Sequence, residues 1–284
     1  MTTDEYGISG YTGDFARAFL EVMVILLYLP IFVLSVYSFT DSANIGAIHG
    51  FSLKNYETLF TKPDLRAMIL GTLVLAIGSA LVSTVLGTLG AVGVFYSGRF
   101  GNVTVGSLNQ VPVVNAEVVT AFSLCILLIG VCDVDKSSFV SLLIGHVVLE
   151  APFVYLSVVP KLKQMDNSLY EAALDLGASP AMALRRVVFP QIFPGVVSGF
   201  ALAVTLSLDD YFITSYTKPA TFDTISTYVV NATRGSQTEI KTALWALSTI
   251  IFVVVVLMVM MMNMSGSKND KNQKGAGAGS EKNR

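Results

Sequence analysis

Four carboxylic acids lie inside stretches of sequence that are otherwise apolar. Asp209 and Asp210 are adjacent, whereas Glu117 and Glu150 stand alone. An ionised side chain in a membrane span costs about 3 kcal/mol on insertion scales, so it marks a substrate or ion path unless it reaches water or a partner. These four acids are therefore the candidate path residues.

Other chemistry is sparse. His146 precedes Glu150 by one helical turn on the same face, so the two can share a proton or a hydrogen bond; the alternative is a packing histidine with one hydrogen bond. The two histidines and two cysteines show no zinc-ligand spacing. We therefore expect no bound metal. No G-x-x-x-x-G-K-[ST] loop occurs, so we expect no bound ATP. No Ser, His, Asp grouping can be assigned, and we expect no enzymatic activity in this chain.

The composition indicates an integral membrane protein. Of the 284 residues, 53% are hydrophobic and 13% are charged, against about 25% charged residues in an ordinary globular protein. With apolar runs longer than about 18 residues, this excludes a cytosolic enzyme, a disordered chain and a disulfide scaffold. A net charge of −2 gives no excess of positive charge with which to bind nucleic acid.

The apolar runs predict an all-α protein with six membrane helices, because a bilayer requires every span to satisfy its own backbone hydrogen bonds. The predicted spans are 22–39, 67–95, 111–132, 137–159, 191–216 and 242–262. A cleaved signal peptide is the alternative for the first span, but its flank is not basic and no small-residue cleavage site follows.

The loops favour one orientation. Lys and Arg are more numerous on the side that holds the termini, so we expect both termini in the cytoplasm. Residues 1–21 then form a cytoplasmic N-terminal segment and residues 22–262 the six-helix domain. The polar, Gly- and Lys-rich tail, 263–284, is predicted to be disordered.

Glycines in two spans allow close helix contacts, although ordinary packing is the alternative. They are Gly71, Gly78, Gly87, Gly90 and Gly93 in the second span, and the Gly195-x-x-x-Gly199 pair in the fifth.

The loop 160–190 is too polar to cross a membrane, and its helix-start and turn residues are too regular for a simple linker. Ser168 followed by Glu171 has the spacing of a capping box. The helix predicted after it, 169–176, ends at Gly177, the residue that most easily takes a left-handed conformation.

A second helix follows this turn. Ser179 is its predicted N-cap, Pro180 occupies the first position, and Pro190 is predicted to stop it. Small residues beside the turn suit a surface that seats in another protein's groove. The alternative is an interfacial amphipathic helix pair that covers the bundle.

These residues carry a family resemblance. The order Glu171-Ala172-Ala173, three residues, Gly177, nine residues and Val187-Val188-Phe189-Pro190 resembles the EAA signature of permease subunits of bacterial ABC importers, with Val187 and Phe189 where Ile and Leu are usual. The resemblance implies a type I permease fold whose loop 160–190 holds a coupling helix. It assigns the docking of a cytoplasmic ATPase to Glu171, Ala172, Ala173 and Gly177.

A second stretch narrows the resemblance. Ser207-Leu208-Asp209-Asp210-Tyr211-Phe212-Ile213-Thr214-Ser215 and Ala246-Leu247-Ser248-Thr249-Ile250 are similar to the C-type permease of spermidine/putrescine importers, over about residues 55–262. A polyamine carries several separated positive charges, so its path should offer spaced carboxylates.

Alternatives remain for each acid. Successive helical residues point about 100° apart, so we expect one of Asp209 and Asp210 to line the path and the other to bond a neighbouring helix or interfacial water. Both could instead be interfacial caps. Glu117 and Glu150 could be structural partners of backbone groups near prolines, and the resemblance leads us to expect no acid at Glu150.

The resemblance also implies the partners. They are a second homologous permease, two ABC ATPases that use ATP and Mg²⁺, an extracytoplasmic substrate-binding protein and the lipid bilayer of the inner membrane, with no nucleic acid. The alternatives are another ABC cargo, such as thiamine or ferric iron, and a proton-coupled secondary transporter that works alone.

Overall fold

A computed structural model describes residues 5–40, 50–97, 99–135, 138–166, 168–234, 242–253 and 256. Within these ranges the regular elements are helical. They are α1 (Glu5–Ser38), α2 (Lys54–Thr61), α3 (Pro63–Tyr96), α4 (Arg99–Val114), α5 (Glu117–Cys125), α6 (Phe139–Gln164), α7 (Ser168–Asp175), α8 (Pro180–Ala183), α9 (Phe189–Asp209), α10 (Phe212–Thr217), α11 (Ile225–Arg234) and α12 (Thr242–Val253). The all-α prediction is confirmed for the described residues.

Among the described residues, four continuous helices are long and apolar enough to cross a membrane. They are Arg17–Ser38, Pro63–Tyr96, Phe139–Gln164 and Pro180–Asp209. These helices overlap the first, second, fourth and fifth predicted spans. The described part of the sixth, Thr242–Val253, is shorter than a span; most of the remainder to 262, and the whole tail 263–284, lie outside the described residues.

The third predicted span is not straight. Its residues belong to a pair of helices, Val103–Val114 and Glu117–Val131, that meet at an angle of 104°. The Asn115 side-chain amide crosses the bend and donates to the Thr120 hydroxyl at 2.9 Å, which is the kind of local polar contact that competes with a helical ladder. The residues predicted as one helix, 111–132, are therefore divided between two helices.

The fifth predicted span, 191–216, is wrong at both ends. Pro190 does not stop the preceding helix, because a π-helical turn, Leu184–Val188, joins α8 to α9. Such turns let a helix continue where its regular hydrogen bonding is interrupted. At the other end α9 stops at Asp209, and α10 is a separate short helix.

The contacts divide the chain into two units, one of them residues 64–231. In this unit α3, α6 and α9 pack around an apolar core that includes Ala91, Val154 and Ile192. Among the predicted glycines, Gly87 and Gly199 lie against Val154 of α6, whereas Gly78 and Gly93 face open space. Close packing therefore depends on only some of the glycines.

The other unit comprises residues up to 63 and from 232 onward. Tyr37 of α1 packs against Trp245 of α12 with their ring centroids 5.9 Å apart. The Asn55 side-chain amide donates to the Ser38 carbonyl at 3.1 Å and to the Thr40 carbonyl at 2.8 Å. Asn55 thereby satisfies carbonyls that the end of α1 leaves without helical partners.

Candidate functional site

The chain breaks its helix at Asp210. This residue is extended, with ψ of 125°, and its carboxylate accepts hydrogen bonds from the backbone N–H groups of Ile213 at 3.1 Å and Thr214 at 2.7 Å. The Thr214 hydroxyl donates to the same carboxylate at 2.6 Å. Asp210 therefore caps α10, because its oxygens satisfy N–H groups that the start of a helix leaves free.

A cavity of about 240 Å³ lies beside this break. Its polar residues are Asn115, Glu117, Thr120, Asp209 and Asp210, and its apolar residues include Leu149, Phe153 and Leu206. Asp209 is exposed, whereas Asp210 is 2% exposed. Glu117 lines the same cavity wall as the two aspartates. The structure thus brings three of the four predicted path acids to one cavity, through α5 and the break between α9 and α10.

Glu150 lies elsewhere. It is completely buried within α6 and does not line this cavity. Its carboxylate accepts hydrogen bonds from the Ser79 hydroxyl at 2.7 Å and from the Ser83 hydroxyl at 2.8 Å, both from α3. The interpretation of Glu150 as a structural partner fits this environment, with serine hydroxyls of α3 in place of the expected backbone groups.

His146 connects Glu150 to the cavity. Its ring is completely buried, with Nδ1 at 2.8 Å from the Ser207 hydroxyl and Nε2 at 3.0 Å from the Thr214 hydroxyl. Nδ1 also lies 3.7 Å from Glu150 Oε1, and Nε2 lies 3.6 Å from Asp210 Oδ2. The predicted proximity of His146 and Glu150 is confirmed, at ion-pair distance rather than hydrogen-bond distance.

A glycine makes this arrangement possible. A Cβ atom added at Gly145 would lie 2.6 Å from Ile213 Cγ2 and 3.3 Å from Thr217 Oγ1. Only a residue without a side chain lets α10 approach α6 so closely. Gly145 therefore allows Thr214 to reach the His146 ring.

Four polar residues of this network were not predicted as site residues: Ser79, Ser83, Ser207 and Thr214. Ser79 and Ser83 are one turn apart on an apolar helix, so their i, i+4 spacing indicates a shared polar face. Nothing in the sequence indicates that this face meets Glu150, since the contact joins residues 71 and 67 positions apart.

The predicted docking segment forms α7, the turn and α8. Gly177 has φ of +86°, and the Ser179 side chain accepts from the Met182 N–H at 3.3 Å; both predictions are confirmed. The start of α7 differs from the expected capping box. Asp166, not Ser168, supplies the capping oxygen, because its carboxylate accepts from the Ser168 N–H at 3.0 Å.

The same contact favours the ionised form of the Asp166 carboxyl. Hydrogen bonds from the Ser168 side chain and backbone hold the pKa of the Asp166 carboxyl below its ordinary value of 3.8.

One side of α7 packs on the protein and the other is free in this chain. Tyr170 packs against the core and contacts Tyr96 in a tilted arrangement, with ring centroids 4.9 Å apart. Glu171 and Ala172 are exposed, Ala173 is half-buried, and Leu176 is 89% exposed. The predicted docking residues therefore lie on or beside an accessible face that carries an apolar residue.

Comparison with known proteins decides the family. Residues 8–267 match the model of the binding-protein-dependent transport system inner membrane component. The chain belongs to this family. It is thus a permease component of an ABC importer, as the EAA-like residues predicted.

Polyamine transport proteins are among the relatives of this permease. It is 30% identical over 240 residues to the spermidine/putrescine transport system permease protein PotC of Haemophilus influenzae, covering 84% of this chain and 91% of that one. For PotC of Escherichia coli K12 the identity is 31%, with coverage of 83% and 88%. For the putrescine permease PotI of E. coli K12 the identity is 30%, with coverage of 79% and 81%.

A solved structure supports the fold of this permease. The crystal structure of a bacterial ABC transporter involved in the import of the acidic polysaccharide alginate superposes with a TM-score of 0.68 at 19% identity, covering 90% of this chain and 96% of that chain. The type I permease fold is therefore confirmed.

Proposed function

We propose that this permease forms part of the membrane path of an ATP-driven importer for polyamines. The observation that carries the proposal is the cavity that holds Glu117, Asp209 and Asp210 together. The curated relatives, which are named for spermidine and putrescine transport, support the same cargo.

The charges of the cavity suit such a cargo. Three carboxyls around about 240 Å³ repel one another unless cations or protons compensate them, and an ammonium group is a compact cation with three donors. The methylene stretches of a polyamine can contact Leu149, Phe153 and Leu206 on the same cavity wall. An anionic cargo would meet repulsion here. Thiamine and ferric iron remain the alternative cargoes to test.

The partners are part of the proposal. A second homologous permease, two ABC ATPases and an extracytoplasmic binding protein complete the importer, with six spans in this chain and both termini in the cytoplasm. ATP and Mg²⁺ act in the ATPases, and this chain holds no cofactor. The solved alginate transporter in complex with its periplasmic protein supports a binding-protein partner.

The helix α7 is the proposed contact with the ATPase. Its free face carries Glu171, Ala172 and Leu176, which this chain alone leaves exposed. The left-handed Gly177 lies in the turn between α7 and α8, and α8 continues into α9. Closure of the ATPases on ATP would therefore move α9 and switch the path between inward-open and outward-open states.

The first experiment tests the partnership. The chain is expressed with its genomic neighbours, extracted in detergent, and examined for a retained ATPase. Glu171→Lys should release the ATPase, because it reverses the charge of an exposed residue on the free face of α7. Glu57→Lys is the matched control, since Glu57 is also an exposed acid in the first turn of an eight-residue helix.

The second experiment tests the cargo and the energy source. The complete complex in vesicles should take up spermidine only when ATP is supplied, and excess putrescine should compete while thiamine and ferric iron should not. Uptake by the purified chain alone, driven by a proton gradient, would show a secondary transporter instead. If α7 merely covers the bundle at the interface, Glu171→Lys and Glu57→Lys should retain the ATPase equally.

A further inference from the structure

The feature that the importer model leaves unexplained is the buried His146. It lies between two acids that are themselves buried, since His146, Glu150 and Asp210 are 0%, 0% and 2% exposed. The ring contacts the hydroxyls of Ser207 on α9 and Thr214 on α10. The titratable groups beside the ring are Glu150 on α6 and Asp210 at the break between α9 and α10. Serines of α3 contact Glu150, and Glu117 of α5 lines the cavity beside Asp210.

The hydroxyl hydrogens on the Glu150 side can be counted. The Ser79 hydroxyl has one hydrogen, and its short contact of 2.7 Å commits this hydrogen to the Glu150 carboxylate. The 3.3 Å contact between the Ser79 and Ser207 hydroxyls is then a hydrogen bond only if Ser207 donates. When Ser207 donates to Ser79, it has no second hydrogen for His146, and the hydrogen of the 2.8 Å contact comes from Nδ1.

The other side of the ring gives the same result. Thr214 commits its hydroxyl hydrogen to Asp210 at 2.6 Å, so it can only accept from the ring at 3.0 Å. Nε2 therefore donates as well. A ring that donates from both nitrogens is an imidazolium, and only this form gives each of these contacts one hydrogen.

The electrostatics favour the same charge. Two buried carboxylates without a cation would carry a large desolvation cost, whereas a paired and hydrogen-bonded cation offsets it. The imidazolium lies 3.7 Å from Glu150 and 3.6 Å from Asp210, within ion-pair distance of both. It is the bridging group that links α6 to the cavity acid.

We propose that His146 is a positioning residue, a buried imidazolium that joins Glu150 to Asp210 and thereby fixes the Asp210 carboxylate in the cavity wall. Glu150 is the internal counter-ion of this cation. The role of Glu150 is thus to hold the charge of His146, and His146 together with Thr214 holds Asp210.

The protonation state is tested without transport. The complete transporter, labelled with ¹⁵N in its histidine rings, is placed in lipid vesicles at pH 7 and studied by solid-state NMR. The His146 signals are those lost in His146→Gln or, where that variant does not assemble, those shifted in Thr214→Ser. Both His146 nitrogens should show protonated shifts, and Glu150→Gln should produce an unprotonated nitrogen. An unprotonated His146 nitrogen in the wild type would overturn the proposal.

The positioning role is tested by uptake, and this arm rests on the proposed function. Thr214→Val should raise the spermidine concentration for half-maximal uptake about tenfold, the factor that corresponds to 1.4 kcal/mol, with a smaller change in maximal rate. Thr214→Ser keeps the hydroxyl and should restore uptake. Thr88→Val is the matched control, since the buried Thr88 hydroxyl makes no hydrogen bond in the described structure.

The outcomes separate the two proposals. Equal effects of Thr214→Val and Thr88→Val, or no rescue by Thr214→Ser, would contradict the positioning role. A wild-type complex that ignores spermidine would contradict the polyamine assignment and leave the NMR result to decide the state of His146.

Discussion

Oδ2 of Asp210 accepts two hydrogen bonds from Thr214, one from its backbone N–H at 2.7 Å and one from its hydroxyl at 2.6 Å. The same carboxylate lies in the wall of the cavity. A single side chain therefore starts a helix and contributes charge to the candidate path. Its neighbour Asp209 lines the cavity too but is exposed, so the two adjacent acids differ in what their loss should do.

We expect Asp210→Asn to lower both uptake and stability, and Asp209→Asn to lower uptake alone. An amide at position 210 turns one acceptor into a donor facing the N–H groups of Ile213 and Thr214. An unsatisfied buried group of this kind costs about 1–3 kcal/mol. The measurements are spermidine uptake in vesicles and thermal unfolding of the purified complex.

Two outcomes of the measurements on Asp209→Asn and Asp210→Asn would contradict these roles. If both variants transport spermidine normally, the acids do not serve the path. If Asp209→Asn destabilises the complex as much as Asp210→Asn, the capping role assigned to Asp210 is wrong.

The packing of α3 on α6 gives a second prediction. A Cβ atom at Gly87 would lie 2.7 Å from Val154 Cβ and 2.8 Å from the Ala151 carbonyl oxygen. Gly87→Ala should therefore force the helices apart and lower the free energy of unfolding by about 1–3 kcal/mol. Gly93→Ala on the same helix meets nothing within 4 Å and should change stability little. Thermal unfolding in detergent measures both, and equal stability of the two variants would refute the close contact.

The turn after α7 gives a third prediction. Gly177 has φ of +86°, and a Cβ atom there would meet nothing within 4 Å, so the cost of a side chain is conformational. Gly177→Val should cost about 1–2 kcal/mol and weaken retention of the ATPase, because β-branched residues strongly disfavour this conformation. Gly177→Asn should retain more ATPase. Co-purification measures the difference, and the reverse order of the two variants would contradict the role of the turn.

The start of α7 gives a prediction for pH. Folding lowers the pKa of Asp166 below 3.8, so this carboxylate stabilises α7 at pH values above its unfolded pKa. That contribution shrinks as the pH falls through 3.8 and is lost once the pH passes the lower folded pKa. Hydrogen exchange of the α7 amides, corrected for intrinsic rates, should show weaker protection in Asp166→Ala than in the wild type at pH 7.

This difference should vanish at sufficiently low pH. Asp175→Ala is the control, because Asp175 ends α7, where a negative charge opposes the helix dipole. Equal protection of the wild type and Asp166→Ala at pH 7 would show that Asp166 does not cap α7.

Patterns that depend on neighbours in sequence were predicted well. The apolar runs located helices near 67–95 and 137–159, and Gly177 and Ser179 took the conformations that their types favour. The proximity of His146 and Glu150 followed from their spacing on one helix.

Errors arose where a polar side chain acts within an apolar run. Asp210 ends α9 by capping α10, and Asn115 spans the bend before Glu117, although hydropathy continues through both positions. Pro190 was taken as a stop because a π-helical turn cannot be read from composition. The contacts of Glu150 with Ser79 and Ser83 depend on how α3 and α6 pack, which a single sequence does not specify.

The capping of α10 by Asp210 bears on how the cargo of this permease could be changed. Consider a library that is randomised at positions 117, 209 and 210 and selected for a new substrate. The three positions would not tolerate the same replacements. Positions 117 and 209 could change their charge freely, whereas most replacements at 210 would also unravel the adjacent turn. Engineered variants with altered selectivity should therefore keep the aspartate at 210 and differ at the other two positions.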